Sequence, residues 1–337
     1  INSQQMLKDI YTPGVARVCL AIQKDPAMAR EYTAIHNTVA IVTNGTAILG
    51  LGDIGPVAGM PVMGGKAALM ASLGSLNAVP ILVESRDPDR VVDVVAAIAP
   101  SFGAIQLEDI AAPECFEIER RLQEKLSIPV LHDDQHGTAV VALAAVRNAG
   151  RMVDQRLSQS VVGQIGLGAA GIGISRLLLA RGVETVLGAD LNPAARDRLK
   201  SLGGEPAELD ELLARADIVI ATTGVPGLIR PEQVRPGQVI LALSNPDPEI
   251  EPRDALKAGA AFAADGKSIN NVLGFPGLFR GALDAGATAF TDEMLVAAAE
   301  AIGDLAADGD LVPDPLDPAV HEAVAAAVRA AAEQGRQ

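Results

Sequence analysis

The sequence predicts an α/β protein of two domains, each built on a mainly parallel β-sheet with flanking helices. Three observations support this prediction. At 337 residues, the chain is too long for one hydrophobic core of ordinary size. Short apolar strand patterns alternate with helical patterns along most of the chain, as they do in parallel sheets. A glycine-rich turn at residues 166–171 follows one such strand and opens a helix.

Composition argues against several functional classes. Hydrophobic residues make up 49% of the chain and charged residues 20%, which is typical of a folded globular protein. A net charge of −15 argues against a nucleic-acid partner, because such binding requires clustered lysine and arginine. Cys19 and Cys115 provide neither a disulfide framework nor zinc-ligand spacing. Without a long apolar run or a signal-peptide pattern, we expect a cytoplasmic protein that does not bind membranes.

The N-terminal region is predicted to be helical over residues 1–37, with a loop at residues 11–14. Residues 38–43 alternate as a strand. Because Asn44-Gly45 favours a two-residue hairpin turn, residues 47–51 are expected to return as a second strand.

From residue 64 onward, helix and strand patterns alternate regularly. Gly64-Gly65-Lys66 is expected to open a helix that ends near Leu76. Beyond it, the patterns predict strands over residues 79–83, 103–107 and 129–131, and helices over residues 88–99, 113–126 and 138–148. This order predicts a parallel sheet.

Acidic side chains follow each of these three strands. Glu84 follows the first strand, Glu108-Asp109 the second and Asp133-Asp134 the third. Because parallel strands end at the same edge of a sheet, we expect these acids to converge there, where open sheets bind ligands. A converging set of oxygen ligands suits Mg²⁺ or Mn²⁺.

The segment from His132 to Thr138 carries the densest group of polar residues. One aspartate there is explained as a helix N-cap. Two adjacent carboxylates, Asp133 and Asp134, repel each other unless a cation, a proton or a lysine lies between them. A metal site and a set of solvated helix caps are therefore the two interpretations.

The second domain begins after a polar stretch, residues 151–160, which is predicted to be a linker helix. Residues 161–165 form a strand pattern, followed by the glycine-rich turn with Gly166, Gly168, Ala169, Ala170 and Gly171. A second strand pattern ends at Ala189. This is the full sequence context of a Rossmann dinucleotide-binding fold, in which the glycines let the backbone approach a pyrophosphate.

Asp190 favours NAD as the dinucleotide. It stands 19 residues beyond Gly171, where an acid bonds a ribose 2′-hydroxyl and repels the 2′-phosphate of NADP. Leu191-Asn192 supplies no cation beside it. Arg196 and Arg198 are near enough in the sequence that NADP stays the less favoured alternative.

The remainder of the second domain continues as α/β. The patterns predict a helix over residues 208–214 and strands over residues 217–221, 238–243 and 260–264. Thr223 is a candidate cofactor contact in a loop after a strand. Asn245 is a candidate contact of both cofactor and substrate, whereas Asn270 and Asn271 are candidate substrate contacts; turn formation is the alternative for each asparagine.

We therefore divide the chain into three parts. Residues 1–150 are predicted to be a catalytic and metal-binding domain, and residues 151–285 a Rossmann NAD-binding domain. Residues 286–337 are predicted to be alanine-rich helices that pack back on the first domain.

Taken together, the motifs resemble those of the malic enzymes, in particular the short bacterial type, over nearly the whole chain. The matching stretches are residues 11–15, 48–55, 65–67, 107–110, 132–138, 244–248, 270–272 and 275–277. Their order and spacing make the resemblance specific. It implies that the chain oxidatively decarboxylates (S)-malate to pyruvate and CO₂ with NAD and a divalent metal.

The resemblance also implies roles for individual residues. The metal ligands would be Glu108, Asp109 and Asp134. Lys66 would be the catalytic base, Asp133 its companion and Tyr11 the acid that protonates the enol. Asn245 and Asn271 would bind the substrate.

The chemistry fits these residue types. A lysine acts as a base only if its pKa falls from about 10.4 toward neutrality. We expect burial and the metal to lower the pKa of Lys66, with Asp133 opposing this change. The metal would stabilise the enolate formed as CO₂ leaves. Taken alone, Lys66 would be interpreted as a surface lysine and Tyr11 as a buried loop tyrosine.

Some positions depart from the family pattern, and they keep two alternatives open. Many family members carry Arg in place of Ala47 and Glu in place of Gly65, and the segments after Asp190 and before Asn270 are short here. One alternative is a family member that acts on another 2-hydroxy acid or converts malate to lactate. The other is a dinucleotide-binding regulator without turnover, which would not need Lys66 or Tyr11.

Tyr11 also suggests an assembly. It lies on an N-terminal arm that is far in sequence from the acids. We expect a homodimer in which the partner subunit supplies this arm.

Overall fold

The computed structural model describes residues 2–48, 50–267 and 269–335. The chain begins with an arm of short helices, α1 (Gln4–Ile10), α2 (Val15–Lys24) and α3 (Ala29–Tyr32). Every residue of α1 and α2 is at least partly exposed. The predicted loop at residues 11–14 lies between these two helices, so the helical prediction for this region is confirmed.

The first sheet has four parallel strands in the order β2-β1-β3-β4. They are β1 (Thr38–Thr43), β2 (Asn77–Leu82), β3 (Ala104–Leu107) and β4 (Val130–His132). The helices of this part are α4 (Pro56–Gly74), α5 (Pro88–Ile98), α6 (Glu114–Lys125) and α7 (Asp133–Met152). The central strands β1 and β3 are almost wholly buried, as expected for a sheet covered by helices on both faces.

The second sheet has six strands in the order β10-β9-β8-β5-β6-β7, all parallel. They are β5 (Val161–Ile165), β6 (Thr185–Ala189), β7 (Glu205–Pro206), β8 (Ile218–Ala221), β9 (Val239–Ala242) and β10 (Phe262–Asp265). Its helices are α8 (Ala169–Ala180), α9 (Pro193–Ser201), α10 (Leu209–Arg215) and α11 (Pro252–Lys257). The order reverses beside β5, which is the arrangement of a Rossmann fold and confirms the predicted fold class.

Three helices complete the chain, namely α12 (Phe275–Ala285), α13 (Asp292–Asp304) and α14 (Pro318–Gln334). Helix α14 packs on α12 and α13, and α13 packs on both α7 and α8. The C-terminal region therefore contacts helices of both sheets rather than the first domain alone. The predicted division at residues 150 and 285 stays a prediction, and α7 continues past its first boundary to Met152.

The predicted hairpin after Asn44-Gly45 is wrong. Strand β1 already pairs with β2 on one side and with β3 on the other, so no edge is free for a returning strand. The described residues between 44 and 55 form a loop with a single antiparallel bridge from Ile48 to Gly52. Leu49, within the predicted second strand, lies outside the described residues.

Two helix starts are also wrong. Helix α4 begins at Pro56, so Lys66 lies in its middle rather than at its start. Helix α7 begins at Asp133, so both aspartates of the acidic pair lie in its first turn. The predicted linker helix is reduced to a short 3₁₀ turn at Leu157–Gln159.

Helices α7 and α8 pack closely where the two sheets meet. A Cβ atom at Gly173 of α8 would lie 2.2 Å from the backbone oxygen of Gln135 in α7, so only glycine fits at this contact. This contact brings the first turn of α7 close to α8, which begins at the glycine-rich turn. Among the described residues, no helix has the length and apolar character required to span a membrane.

Candidate active site

Lys66 lies at the centre of a buried cluster of charged groups. Its side chain reaches the carboxyl end of the first sheet, where Nζ lies 2.9 Å from Oε1 of Glu108 and contacts Oδ2 of Asp133. Nζ also lies 4.6 Å from the centre of the Phe275 ring, a cation–π contact. Asn271 donates a hydrogen bond of 2.8 Å from Nδ2 to the same Asp133 oxygen. Residues that are far apart in the sequence thus fix one ammonium group.

The surrounding charges determine the protonation of Lys66. Burial lowers its pKa, but the carboxylates of Asp133, Glu108 and Asp134 raise it by more. The pKa of Lys66 therefore lies well above the ordinary value of a lysine. Burial thus lowers the pKa and Asp133 opposes this change, as expected, but the protein groups alone leave the pKa of Lys66 raised. Because carboxylates outnumber cations here, the lysine requires additional positive charge beside the acids to lose its proton near neutral pH.

Glu108, Asp109 and Asp134 lie together beside Lys66. One oxygen of each carboxylate lies within 4.8 Å of the others. The backbone N–H of Asp109 donates to Oδ2 of Asp134 at 2.8 Å, which ties the end of β3 to the start of α7. Three carboxylates offer only hard oxygen ligands, so this donor set fits Mg²⁺ or Mn²⁺.

The backbone at Asp109 adopts an unusual conformation that holds this arrangement. Its φ of 52° lies in the left-handed region, which a residue other than glycine rarely adopts. Its carbonyl oxygen accepts a hydrogen bond of 3.0 Å from the N–H of Ala47. Two residues later, the N–H of Ala111 donates to Oγ1 of Thr46 at 2.9 Å. The loop after β1 therefore supports the acidic segment after β3.

Glu84 does not join the three acids. It is exposed and lines a separate cleft with Asn44, Asp53 and Arg86. The convergence that parallel topology predicts thus includes the ends of β3 and β4 but not the end of β2. The reason is the strand order, because β2 lies at one edge of the sheet and β1 and β3 separate it from β4.

Sequence reasoning missed two buried polar residues that orient the site. Gln106 is fully buried in β3 and donates from Nε2 to Oε2 of Glu108 at 2.6 Å. Glu119 of α6 accepts from the backbone N–H of His132 at 2.7 Å and lies 3.0 Å from Nε2 of His136. Both were detectable, because each is a polar residue on an otherwise apolar buried face.

Glu119 is ionised despite its burial. Burial raises its pKa, but His136 and His132 lower it by more, so the pKa of Glu119 lies below its ordinary value. The carboxylate can therefore act as a fixed acceptor that holds the turn between β4 and α7. That turn carries Asp133 and Asp134.

The three candidate asparagines have different surroundings. Asn271 contacts Asp133, as described above. Asn270 uses its side-chain oxygen to cap a 3₁₀ turn by accepting from the N–H of Val272, which is the turn-forming role. Asn245 donates weakly to the backbone oxygen of Gly266 at 3.4 Å. Only Asn271 is bonded to the cluster around Lys66.

Tyr11 differs from this cluster in its exposure. The residue is 66% exposed, whereas Lys66 is 8% exposed. The interpretation of Tyr11 as a buried loop tyrosine is wrong. Its expected role as an acid beside Lys66 stays a prediction.

The glycine-rich turn lines a cavity of about 480 Å³ in the second domain, with Asp190 and Thr223 in its wall. A Cβ at Gly171 would lie 1.9 Å from the oxygen of Gly166, whereas a Cβ at Gly168 would meet nothing within 4 Å. Gly171 is therefore required for packing, and Gly168 leaves an open approach to the start of α8. Ala169 and Ala170 begin that helix, whose first N–H groups attract a phosphate.

Asp190 and its neighbours determine what the cavity accepts. Its carboxylate accepts from the N–H of Leu167 at 2.7 Å and from the N–H of Asn192 at 2.8 Å. Arg196 pairs with Glu208 at 3.1 Å, and the Arg198 guanidinium lies 4.2 Å from the centre of the Phe116 ring. Both arginines thus contact other groups rather than Asp190.

Glu249 is a further residue that sequence reasoning missed. It is fully buried and accepts from the N–H and the hydroxyl of Thr223 at 2.6 and 2.8 Å. The Ser244 hydroxyl donates to the same oxygen. Glu249 thereby joins the loops after β8 and β9, which carry Thr223 and Asn245.

Comparison with known proteins gives a consistent result. Residues 1–123 match the family model of the malic enzyme N-terminal domain, and residues 193–336 match that of the malic enzyme NAD-binding domain. NAD-dependent malic enzyme 1 of Bacillus subtilis is 60% identical over 98% of this chain and 76% of its own length. The NAD-dependent malic enzyme of Geobacillus stearothermophilus is 45% identical over 92% of this chain and 69% of its own length.

The crystal structure of malic enzyme from Pyrococcus horikoshii superimposes with a TM-score of 0.93 and 41% identity, covering 100% of this chain and 85% of that chain. The similarity therefore covers both sheets and the C-terminal helices.

The contact between Gln106 and Glu108 generates a prediction about metal binding. Replacing Gln106 with Leu keeps the volume but removes the donor that orients Glu108. We expect roughly 10- to 100-fold weaker Mn²⁺ binding, the usual effect of removing a hydrogen bond that orients a metal-binding side chain. Electron paramagnetic resonance of free Mn²⁺ measures this affinity.

Gln123→Leu provides the matched control, because Gln123 donates to the backbone of the same sheet but lies away from the acids. Equal Mn²⁺ affinity in the wild type and the Gln106→Leu variant would contradict the orienting role of Gln106.

Proposed function

The chain belongs to the malic enzyme family, and we propose that it oxidises malate with NAD and releases CO₂ to yield pyruvate. The buried contact of Lys66 with Asp133 and Glu108 carries this proposal. Removal of a hydride from a 2-hydroxy acid requires a base at the hydroxyl, and a lysine held at a sheet edge beside a dinucleotide-binding domain meets this requirement.

Lys66 accepts the hydroxyl proton in this proposal. Asp133 contacts Nζ and accepts a hydrogen bond from Asn271, so the Lys66 amine is held in one position and the proton is transferred at a defined atom. The Phe275 ring covers one side of Nζ and limits the access of water. A fixed and partly desolvated base favours proton transfer over exchange with solvent.

Glu108, Asp109 and Asp134 would hold the divalent cation. When bound, the cation would supply positive charge that lowers the pKa of Lys66 and stabilises the negative charge developing on the substrate oxygens. Gln106 orients Glu108, and Glu119 holds the turn that carries Asp134. These two residues act through the ligands and do not contact the substrate in this proposal.

NAD is the proposed hydride acceptor, bound along the cavity that Gly166, Gly168 and Thr223 line. Asp190 would accept a hydrogen bond from a ribose hydroxyl and repel a 2′-phosphate. Because Arg196 and Arg198 contact Glu208 and Phe116, neither offers a free cation to a 2′-phosphate.

The proton that converts the enol to pyruvate would come from Tyr11 of the partner subunit in a homodimer. Helices α1 and α2 bury none of their own residues against the rest of the chain, although the arm carries exposed apolar side chains such as Met6, Ile10 and Leu20. An exposed apolar surface of this kind is typical of a protein interface. A second copy of the chain would cover the arm, and Tyr11 of one subunit would then lie beside Lys66 of the other.

Turnover tests the proposed reaction directly. With malate, NAD and Mn²⁺, we expect about one NADH per pyruvate, as hydride transfer requires. We expect Lys66→Ala to lower kcat by roughly 10²- to 10⁴-fold, the usual contribution of a positioned base. Lys125→Ala, which changes an exposed lysine on α6, is the matched control.

Two outcomes would contradict this function. Lactate formation without net NADH would indicate a malolactic conversion. Tight NAD binding without malate-dependent turnover at any Mn²⁺ concentration would indicate a dinucleotide-binding regulator.

Cofactor choice gives a separate prediction. Asp190→Ala removes both the ribose contact and the repulsion of a 2′-phosphate. We expect the ratio of kcat/KM with NADP to kcat/KM with NAD to rise roughly 10- to 100-fold, the effect of a charged hydrogen bond. Asp197→Ala, on the exposed face of α9, should leave this ratio unchanged. An unchanged ratio in Asp190→Ala would show that another group selects the cofactor.

Subunit mixing tests the proposed role of the arm. Co-expressed Tyr11→Phe and Lys66→Ala chains form heterodimers in which one site receives an intact tyrosine and an intact lysine. Random pairing would therefore restore about a quarter of wild-type activity in a symmetric dimer. Activity no higher than that of the two parent variants would contradict a shared site.

A further inference from the structure

A cavity of about 460 Å³ lies at the far ends of α7 and α8 from the candidate active site. Its lining contains four arginines and two carboxylates. These are Arg147, Arg151, Arg156, Arg181, Asp154 and Glu300. The whole chain has 42 acidic and 27 basic residues, so this local excess of positive charge is opposite to the charge of the protein.

Two of the arginines form the fixed walls of this cavity. Arg181 pairs through Nε with Glu300 of α13 at 2.7 Å. Arg147 donates to the backbone oxygen of Glu300 at 3.2 Å and pairs with Asp304. Helix α13 thereby joins the end of α7 to the end of α8.

The other two arginines have no such partner. Neither the Arg151 nor the Arg156 guanidinium makes a hydrogen bond or an ion pair with any residue in the ranges 2–48, 50–267 and 269–335. Both are exposed at the cavity. Two unpaired guanidinium groups that line one concave surface can each bind an oxyanion through paired N–H donors.

The helix dipole explains only part of this arrangement. Arg151 lies in the last turn of α7 and Arg181 follows α8, where a positive charge is favoured. Arg156, however, lies in the linker between the two sheets, outside both helices. The helix dipole therefore does not account for the position of Arg156 beside Arg151 in the lining of this cavity.

We propose that this cavity binds a small organic dianion, a phosphate ester or a dicarboxylate, whose charged groups pair with Arg151 and Arg156. The positive lining would attract such an anion although the protein as a whole is acidic. The cavity volume of about 460 Å³ is sufficient for a small phosphate ester or dicarboxylate. The linker forms one side of the cavity and α13 the other.

Such a ligand would regulate the enzyme. Helix α7 extends about 30 Å from its first turn, which carries Asp133 and Asp134, to this cavity. Helix α8 extends from the glycine-rich turn to the same cavity. An anion that bridges the linker and both helix ends would bias the relative position of the metal ligands and the cofactor. This regulatory part rests on the proposed function, whereas anion binding itself does not.

Direct binding to the full chain tests the proposal independently of turnover. Isothermal titration with succinate and, separately, with inorganic phosphate should detect one site per chain. Saturating NAD and the omission of divalent metal keep the cofactor cavity filled and leave the proposed malate site without its cation. In the Arg151→Ala/Arg156→Ala double variant we expect at least about tenfold weaker binding, because charge-assisted hydrogen bonds are lost. Loss confined to phosphate identifies a phosphate ester as the ligand class, and loss confined to succinate identifies a dicarboxylate.

The Arg120→Ala/Arg253→Ala double variant is the charge-matched control, since both side chains are exposed elsewhere. Binding that is equal in the wild type and the Arg151→Ala/Arg156→Ala variant, or equally weakened in the control, would overturn the proposal. So would the absence of binding of both probes at millimolar concentrations. If the double variant does not fold, Arg156→Ala alone is used, because that guanidinium makes no hydrogen bond or ion pair with the described residues.

The malate KM tests the regulatory part. Whichever of the two anions binds the cavity should change the malate KM of the wild type several-fold, within the usual range of coupling between sites. In the Arg151→Ala/Arg156→Ala variant, phosphate should leave the malate KM unchanged, and succinate should change it only through competition with malate at the active site. A KM that does not respond in the wild type, despite measured binding, would overturn regulation while retaining the anion site.

Discussion

A lysine buried among carboxylates is the interaction on which the rest of the site depends. An ammonium group taken out of water without partners costs several kcal/mol, so it persists only where charges and hydrogen bonds surround it. Asp133 and Glu108 provide those charges for Lys66. The same carboxylates then lie close to Asp134, and their mutual repulsion makes the site suitable for a divalent cation.

The fold brings these groups together from distant parts of the chain. Parallel pairing places the ends of β3 and β4 side by side, and the acids follow those ends. Helix α4 supplies Lys66, and the segment before α12 supplies Asn271. Helix α7 then passes from this cluster along α8, which begins at the cofactor cavity. One helix contact thus relates the three carboxylates to the cofactor cavity.

Much of this organisation could be predicted from the sequence, because it follows from patterns over many residues. The alternation of strands and helices predicted both parallel sheets, and the glycine-rich turn predicted the cofactor cavity. Acids after neighbouring strands predicted the cluster of Glu108, Asp109 and Asp134. The failures depended on tertiary context. The Asn44-Gly45 hairpin was wrong because both edges of β1 are occupied, which no local preference reveals. The direction of the net pKa shift of Lys66 also depends on tertiary context, because it is decided by the number of carboxylates that surround one buried nitrogen.

We propose that Glu108, Asp109 and Asp134 bind one divalent cation beside Lys66. Anomalous diffraction at the manganese edge, from crystals grown with Mn²⁺, would locate this ion. We expect one strong peak within about 2.4 Å of an oxygen from each of the three carboxylates, a bonding distance for such ions. A manganese peak elsewhere, with these three carboxylates free of metal, would contradict it.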